Sequence, residues 1–221
     1  DSLVGLERLG QQVLPNLEVE ELKKRLRLIR GEHFAATTPE KKEKCRKDDK
    51  ELRDQIATKL KADGLGNTET ERLAKWDPYD QNASSEFFDP EWMFGIKVGF
   101  DIVIGNPPYV VSKNVDYKRI FREIIFGRPN LYHFFIYRSL NNFLNDSGYL
   151  TFINPRTLLT DAYSLALRKF IKQKASVCQI LNIENRRNVF EAVLQACMVN
   201  MFTTKRDVVS VRVKSVKSKS E

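Results

Sequence analysis

Histidine and cysteine are scarce in this chain of 221 residues. The two histidines, His33 and His133, lie far apart, which argues against a zinc site built on neighbouring imidazoles. The three cysteines, Cys45, Cys178 and Cys197, are odd in number, widely spaced and form no CxxC pair. That pattern argues against a disulfide framework and reads as reduced core thiols in a cytoplasmic protein. No run approaches the roughly 18 to 20 apolar residues that a membrane-spanning helix needs, so no membrane partner is expected. Neither a signal peptide nor an internal repeat is visible, and no cluster of carboxylates followed by a lysine suggests a nuclease. The first residue is Asp1 rather than Met, so a start inside a longer polypeptide is expected.

What is present suits a soluble globular chain: 42% hydrophobic and 30% charged residues, enough for one core or a core with an appendage. The net charge of +8 favours a polyanionic partner, because Lys and Arg displace counterions from phosphates. A generally basic surface is the plainer reading of the same number.

The chain divides into an arm (residues 1–66), a connector (67–99), an alternating α/β region (100–204) and a basic tail or last strand (205–221). Leu22, Leu26 and Ile29 share one helical face, and Leu52, Ile56 and Leu60 recur at four-residue steps in a very polar second segment. Thr38-Pro39-Glu40 marks the second helix start and Asp63-Gly64 its end. Together these predict an antiparallel helical hairpin, either a DNA- or partner-binding arm or a solvated insertion. The connector is dense in aromatics, including Trp76, Phe87, Phe88 and Trp92, which pin a loop to a core more often than they stack on bases.

From residue 100 onward, strand and helix patterns alternate. Short strands are expected at Ile102-Val103-Ile104 (buried), 149–153, 177–181 and 196–203, with helices over 116–126, 130–145 and 161–172 and a turn at 145–148. Such alternation implies a largely parallel sheet with helices on both faces, truncated at one edge. A free strand edge of that kind invites dimerisation or aggregation.

Asn106-Pro107-Pro108-Tyr109 follows directly from the first of these strands. Ligands bind at the carboxyl ends of strands in open α/β sheets. Two prolines fix φ and remove two N–H donors, so the chain must leave the sheet as a stiff loop with free carbonyls. A side-chain amide beside such carbonyls is a good holder for an amino group. The Asn106 side-chain oxygen and the Pro107 carbonyl can accept two amine hydrogens, and Tyr109 offers a flat face to a base. Lys113, Lys118, Arg119, Arg122 and Arg128 come next; they either hold backbone phosphates or, with Asp116 and Glu123, form a solvated helix face.

Phe100 to Tyr109 resembles the active-site motif of amino-methyltransferases that act on nucleobases. With Phe87-Phe88-Asp89-Pro90-Glu91-Trp92-Met93-Phe94-Gly95, it is similar to the large single-chain bacterial restriction–modification enzymes that methylate adenine at N6. Asn130 to Ile136, Gly148 to Arg156 and Asn188 to Ala192 match further segments of that family in order. The resemblance implies an α/β, Rossmann-like methyltransferase sheet, here partial, carrying the N-terminal helical hairpin as an insertion. It implies double-stranded DNA as partner, S-adenosylmethionine as cofactor and an adenine extruded from the stack. Asn106, Pro107 and Tyr109 would be catalytic, Tyr109 and Phe190 would stack on the base, and Asn106 with Pro108 would border the cofactor. Asp101 would order the start of the strand rather than act chemically. No glycine-rich turn follows a strand within residues 1–99, so the main cofactor motif is expected elsewhere in the parent polypeptide, as is the target-recognition part. The chain alone is then expected to be inactive. A methyltransferase for a protein glutamine or an RNA guanine amino group shares the motif, and a non-catalytic DNA-binding module is the reading from a different class.

Overall fold

The computed structural model describes residues 2–5, 16–80, 82, 84–183, 196–205 and 210–216. The chain forms two units, Asp1–Lys97 and Val98–Glu221.

In the first unit, α1 (Leu17–Ala35) starts where the Asn16 side chain accepts hydrogen bonds from the Glu18 and Val19 amides. The second helix, α2 (Pro39–Ala62), starts at Thr38, with Pro39 in the first turn where a missing N–H costs nothing. It ends before Gly64, whose φ of 94° suits glycine. Then α3 (Asn67–Lys75) and α4 (Pro90–Phe94) follow. Leu22, Leu26, Leu52 and Ile56 are buried with Leu73, Phe87, Trp92 and Met93, so the connector aromatics pack into the core of the hairpin. Each such side chain contributes roughly 1.5–3 kcal/mol on full burial.

A charge cluster runs through this unit. Asp49 is fully buried, and its two carboxylate oxygens accept from Arg30 Nε at 2.8 Å and Arg53 Nε at 2.7 Å. Arg30 also donates to the Trp92 carbonyl at 2.7 Å and lies over the Trp76 ring, while Arg53 donates to the carbonyls of Ala74 and Trp76. The helices thereby hold the connector through its backbone as well as its rings.

The second unit is built on β1 (Phe100–Gly105), α5 (Val115–Ile120), α6 (Leu131–Arg138), β2 (Leu144–Pro155), α7 (Thr157–Thr160), α8 (Leu165–Lys174), β3 (Ser176–Ile183), β4 (Cys197–Thr203) and β5 (Arg212–Val216). The five strands form one α/β sheet in the order β1-β2-β4-β3-β5. The pairs β1–β2 and β3–β5 are parallel; β4 is antiparallel to both neighbours. Four strands therefore run one way, as expected, and β4 is the exception. It follows β3 in sequence and lies next to it, an arrangement that needs no crossover helix when the pair is antiparallel.

On one face Leu150, Phe152, Met198 and Phe202 are buried, and Phe134, Leu167 and Phe170 are buried on the helices. The opposite face, with Thr151, Ile153, Val199 and Met201, is only half-buried, so the expected cover on both faces is uneven. The expectation of a buried first strand is corrected more sharply. Ile102 and Ile104 are 65% and 78% exposed, because β1 is the sheet edge and no described element covers that side.

Helix lengths also differ from the pattern. The segment after α5 tightens to a 3-10 turn at Arg122–Ile124, and α6 runs into a π turn at Ser139–Phe143. A 3-10 turn at Ala162–Ser164 precedes α8. The expected turn at 145–148 is an irregularity inside β2, where Leu144 pairs with Phe100 and Tyr149 with Ile102. Among the described residues no helix is long and apolar enough to cross a membrane.

Candidate active site

The register of β1 on β2 ends at Gly105↔Phe152. After Asn106 the two prolines, Pro107 and Pro108, leave the chain without an N–H to continue the ladder. The loop that departs here has Asn106 and Pro108 exposed, Pro107 buried and Tyr109 half-buried. Because β1 and β2 are parallel, the end of β2 reaches the same side of the sheet. There the Tyr109 hydroxyl donates to the Ile153 carbonyl at 2.9 Å and lies 3.1 Å from Asn106 Oδ1. Tyr132 meets the Tyr109 ring edge-on, with centroids 6.2 Å apart.

Burial pushes the Tyr109 phenol above its ordinary pKa, and the neighbouring Cys197 thiol and Tyr132 push it the same way. Tyr109 thus keeps its proton and acts as a hydrogen-bond donor.

The segment after the loop returns on itself. Ser112 N–H donates to the Pro129 carbonyl at 3.0 Å and Leu131 N–H to the Val110 carbonyl at 2.8 Å, closing the neck of an excursion from 111 to 130. Inside it, Phe121 and Ile124 are fully buried, and Phe121 stacks on Phe134 with centroids 4.6 Å apart. The rest faces outward: α5 buries no residue, and Lys113, Lys118, Arg119, Arg122 and Arg128 are exposed. Glu123 accepts from the Tyr137 hydroxyl at 2.8 Å.

Asp101 stands at the other end of β1, where it accepts from Asn145 Nδ2 at 2.9 Å and ties the starts of β1 and β2 together. The structure therefore brings together Asn106, Pro107, Pro108 and Tyr109 and keeps Asp101 away from them. Phe190 lies outside the described residues. Among the described residues no cluster of His, Cys, Asp or Glu could hold a metal ion.

One contact of the site escaped the sequence reading, and so did one buried residue next to it in sequence. The Ile153 carbonyl is backbone and has no sequence signature. Asn154 is fully buried at the end of β2, and its amide has no hydrogen-bond partner among the described residues. Its Asn154-Pro155 step repeats Asn106-Pro107 at the end of the adjacent parallel strand, a signal that was available.

The sequence model of the Eco57I restriction-modification methylase family matches residues 15–190, more than half of the chain. The modification methylase CviBIII of Paramecium bursaria Chlorella virus NC1A is 42% identical over 72 residues, 33% of this chain and 19% of that protein. The type II methyltransferase M.AccI of Acinetobacter calcoaceticus is 27% identical over 107 residues, 45% of this chain and 20% of that protein. The type II restriction enzyme and methyltransferase RM.Eco57I of Escherichia coli is 24% identical over 109 residues, covering 45% of this chain and 11% of that protein. The matched region thus spans a fifth or less of each relative.

Proposed function

The chain belongs to the Eco57I restriction-modification methylase family, and from that premise we propose that it holds the base-handling side of an adenine-N6 DNA methyltransferase. The observation that carries this reading is the Asn106–Tyr109 loop at the carboxyl end of β1, with an exposed amide beside a half-buried tyrosine. An amide oxygen and a proline carbonyl at one loop suit the two hydrogens of an exocyclic amine.

Asn106 Oδ1 and the Pro107 carbonyl accept those hydrogens, draw electron density onto N6 and aim its lone pair. Tyr109 and Phe190 hold the extruded base by stacking, worth roughly 1–3 kcal/mol per base. No His, Asp or Glu lies in the motif, which suits a nitrogen that turns acidic on gaining its methyl group and sheds a proton without a strong base. Positioning then supplies much of the rate. Lys113, Lys118, Arg119 and Arg122 meet the phosphates of double-stranded DNA from the pinned excursion.

S-adenosylmethionine supplies an electrophilic methyl group when bound. Asn106 and Pro108, both exposed at the end of β1, fit one border of its site. Among the described residues no strand leads through a glycine-rich turn into a helix.

The test uses the full-length protein, methyl-labelled S-adenosylmethionine and mixed DNA, with Asn106→Ala as control. Label in N6-methyladenine that vanishes in the variant supports the reading. Label in protein or RNA moves the substrate to a glutamine or guanine amino group, and cofactor-insensitive DNA binding without methylation favours a binding module.

A further inference from the structure

The Tyr109 hydroxyl carries one hydrogen and stands beside two oxygen acceptors, the Ile153 carbonyl at 2.9 Å and Asn106 Oδ1 at 3.1 Å. They do not compete equally. A backbone carbonyl can only accept, whereas a side-chain amide offers an oxygen on one side and an NH2 on the other. The Ile153 carbonyl also lies one residue beyond the last β1–β2 pair, Gly105↔Phe152, next to prolines that cannot donate to it. A half-buried carbonyl in that place is costly to leave unsatisfied. The shorter contact therefore takes the hydrogen.

Once that hydrogen is committed, the hydroxyl oxygen can only accept from its other neighbours. An amide oxygen facing it would set two lone pairs against each other. A half-turn of the Asn106 amide exchanges Oδ1 and Nδ2 with little other movement and turns the repulsion into a bond. The buried Cys197 thiol, beside the same hydroxyl, is a weaker acceptor for that hydrogen, and sulfur competes poorly with a carbonyl oxygen.

We propose that the Tyr109 hydroxyl is a positioning group that sets the polarity of the Asn106 amide. The Ile153 carbonyl takes the hydroxyl hydrogen, the hydroxyl oxygen takes a hydrogen from Asn106 Nδ2, and Oδ1 is turned away to meet the substrate. This rests on the reading that Asn106 accepts from a substrate amine. It adds a source of specificity: with the amide fixed, an amine at the base position is welcomed and a carbonyl is opposed. Discrimination of this kind is strongest where a polar group is held in one orientation.

Hypoxanthine, which carries an oxygen where adenine carries its amine, reads this directly. Binding of the full-length protein is measured on duplexes containing the sequence it methylates, with adenine or hypoxanthine at the target. Both targets are placed opposite an abasic site, so that base pairing does not enter. The ratio of the two Kd values does not depend on the active fraction of a preparation. The native protein is expected to prefer adenine by about 10-fold, the size of one well-placed hydrogen-bond discrimination. Tyr109→Phe keeps the aromatic ring but frees the amide to turn, and its preference should fall to within about threefold. An unchanged preference in Tyr109→Phe, alongside a lost preference in Asn106→Ala, overturns the proposal and leaves the reading of Asn106 standing. A native preference that survives in Asn106→Ala overturns that reading and the proposal with it.

Discussion

Gly105 presses against Phe152 so closely that a Cβ built on it would lie 3.1 Å from Phe152 Cε1. Its partner ring is buried in the sheet, one pair below the point where Asn106 leaves β1. A methyl group here has to displace either the ring or the end of the strand, and the strand end is what carries the amide. Gly105→Ala is therefore expected to lower the methylation rate of the full-length protein by about 10-fold, since catalysis by orientation is sensitive to sub-ångström shifts. Thermal stability should change little beside it. A Gly105→Ala rate equal to the native one would mean that Phe152 yields and the loop does not.

Asp49 is a fully buried carboxylate held by two guanidinium groups. Both arginines extend the contact to backbone carbonyls, Arg30 to Trp92 and Arg53 to Trp76. Asp49→Ala leaves two cations facing each other in the interior. Removing one member of a buried ion cluster costs about 3–5 kcal/mol. Urea unfolding followed by the fluorescence of Trp76 and Trp92 is expected to show a loss of that order. A loss under about 1 kcal/mol, the worth of an exposed pair, would mean that the cluster is hydrated rather than sealed.

These two cases mark where the sequence was legible. The hairpin could be read because its apolar residues recur at helical spacing and its ends carry Thr38-Pro39 and Gly64. Asp49 could not, because it sits in a run of charged residues where every side chain reads as solvated; only the fold brings Arg30 and Arg53 around it. Ile102 and Ile104 read as buried because composition reports what a strand can bury, whereas exposure depends on whether a neighbour is present. The direction of β4 likewise follows from which strand it pairs with, not from its own residues. The catalytic loop was legible for a chemical reason: two prolines after an apolar strand can do little but end it. Its link to β2 runs through the Ile153 carbonyl, which any residue at that position would supply.

His133 gives the second unit a pH dependence. Its ring is buried, with Nε2 3.0 Å from Ser164 Oγ, and burial holds its pKa down at about 4, against 6.5 for a free histidine. As pH falls through 6.5 the unfolded chain takes up this proton, while the folded unit does not until near 4. Between those values the unfolded state binds more protons, so stability is complete above about pH 6.5 and declines as the pH drops. At pH 5 the deficit from this group is about 2 kcal/mol, taking roughly 1.4 kcal/mol per pH unit over the part of the window crossed. Glu20, lowered to about 2 by its bonds to Lys97 and Lys23, acts in the same direction but only below pH 4.5, so it does not enter between 7.5 and 5. Denaturant unfolding of the protein at those two pH values is expected to show the loss. His133→Gln, which cannot take up the proton, should start from lower stability yet vary less with pH, keeping the share of His33, whose pKa burial also lowers from 6.5. Equal pH dependence in the variant and the native protein would assign the effect to other groups and remove His133 as its source.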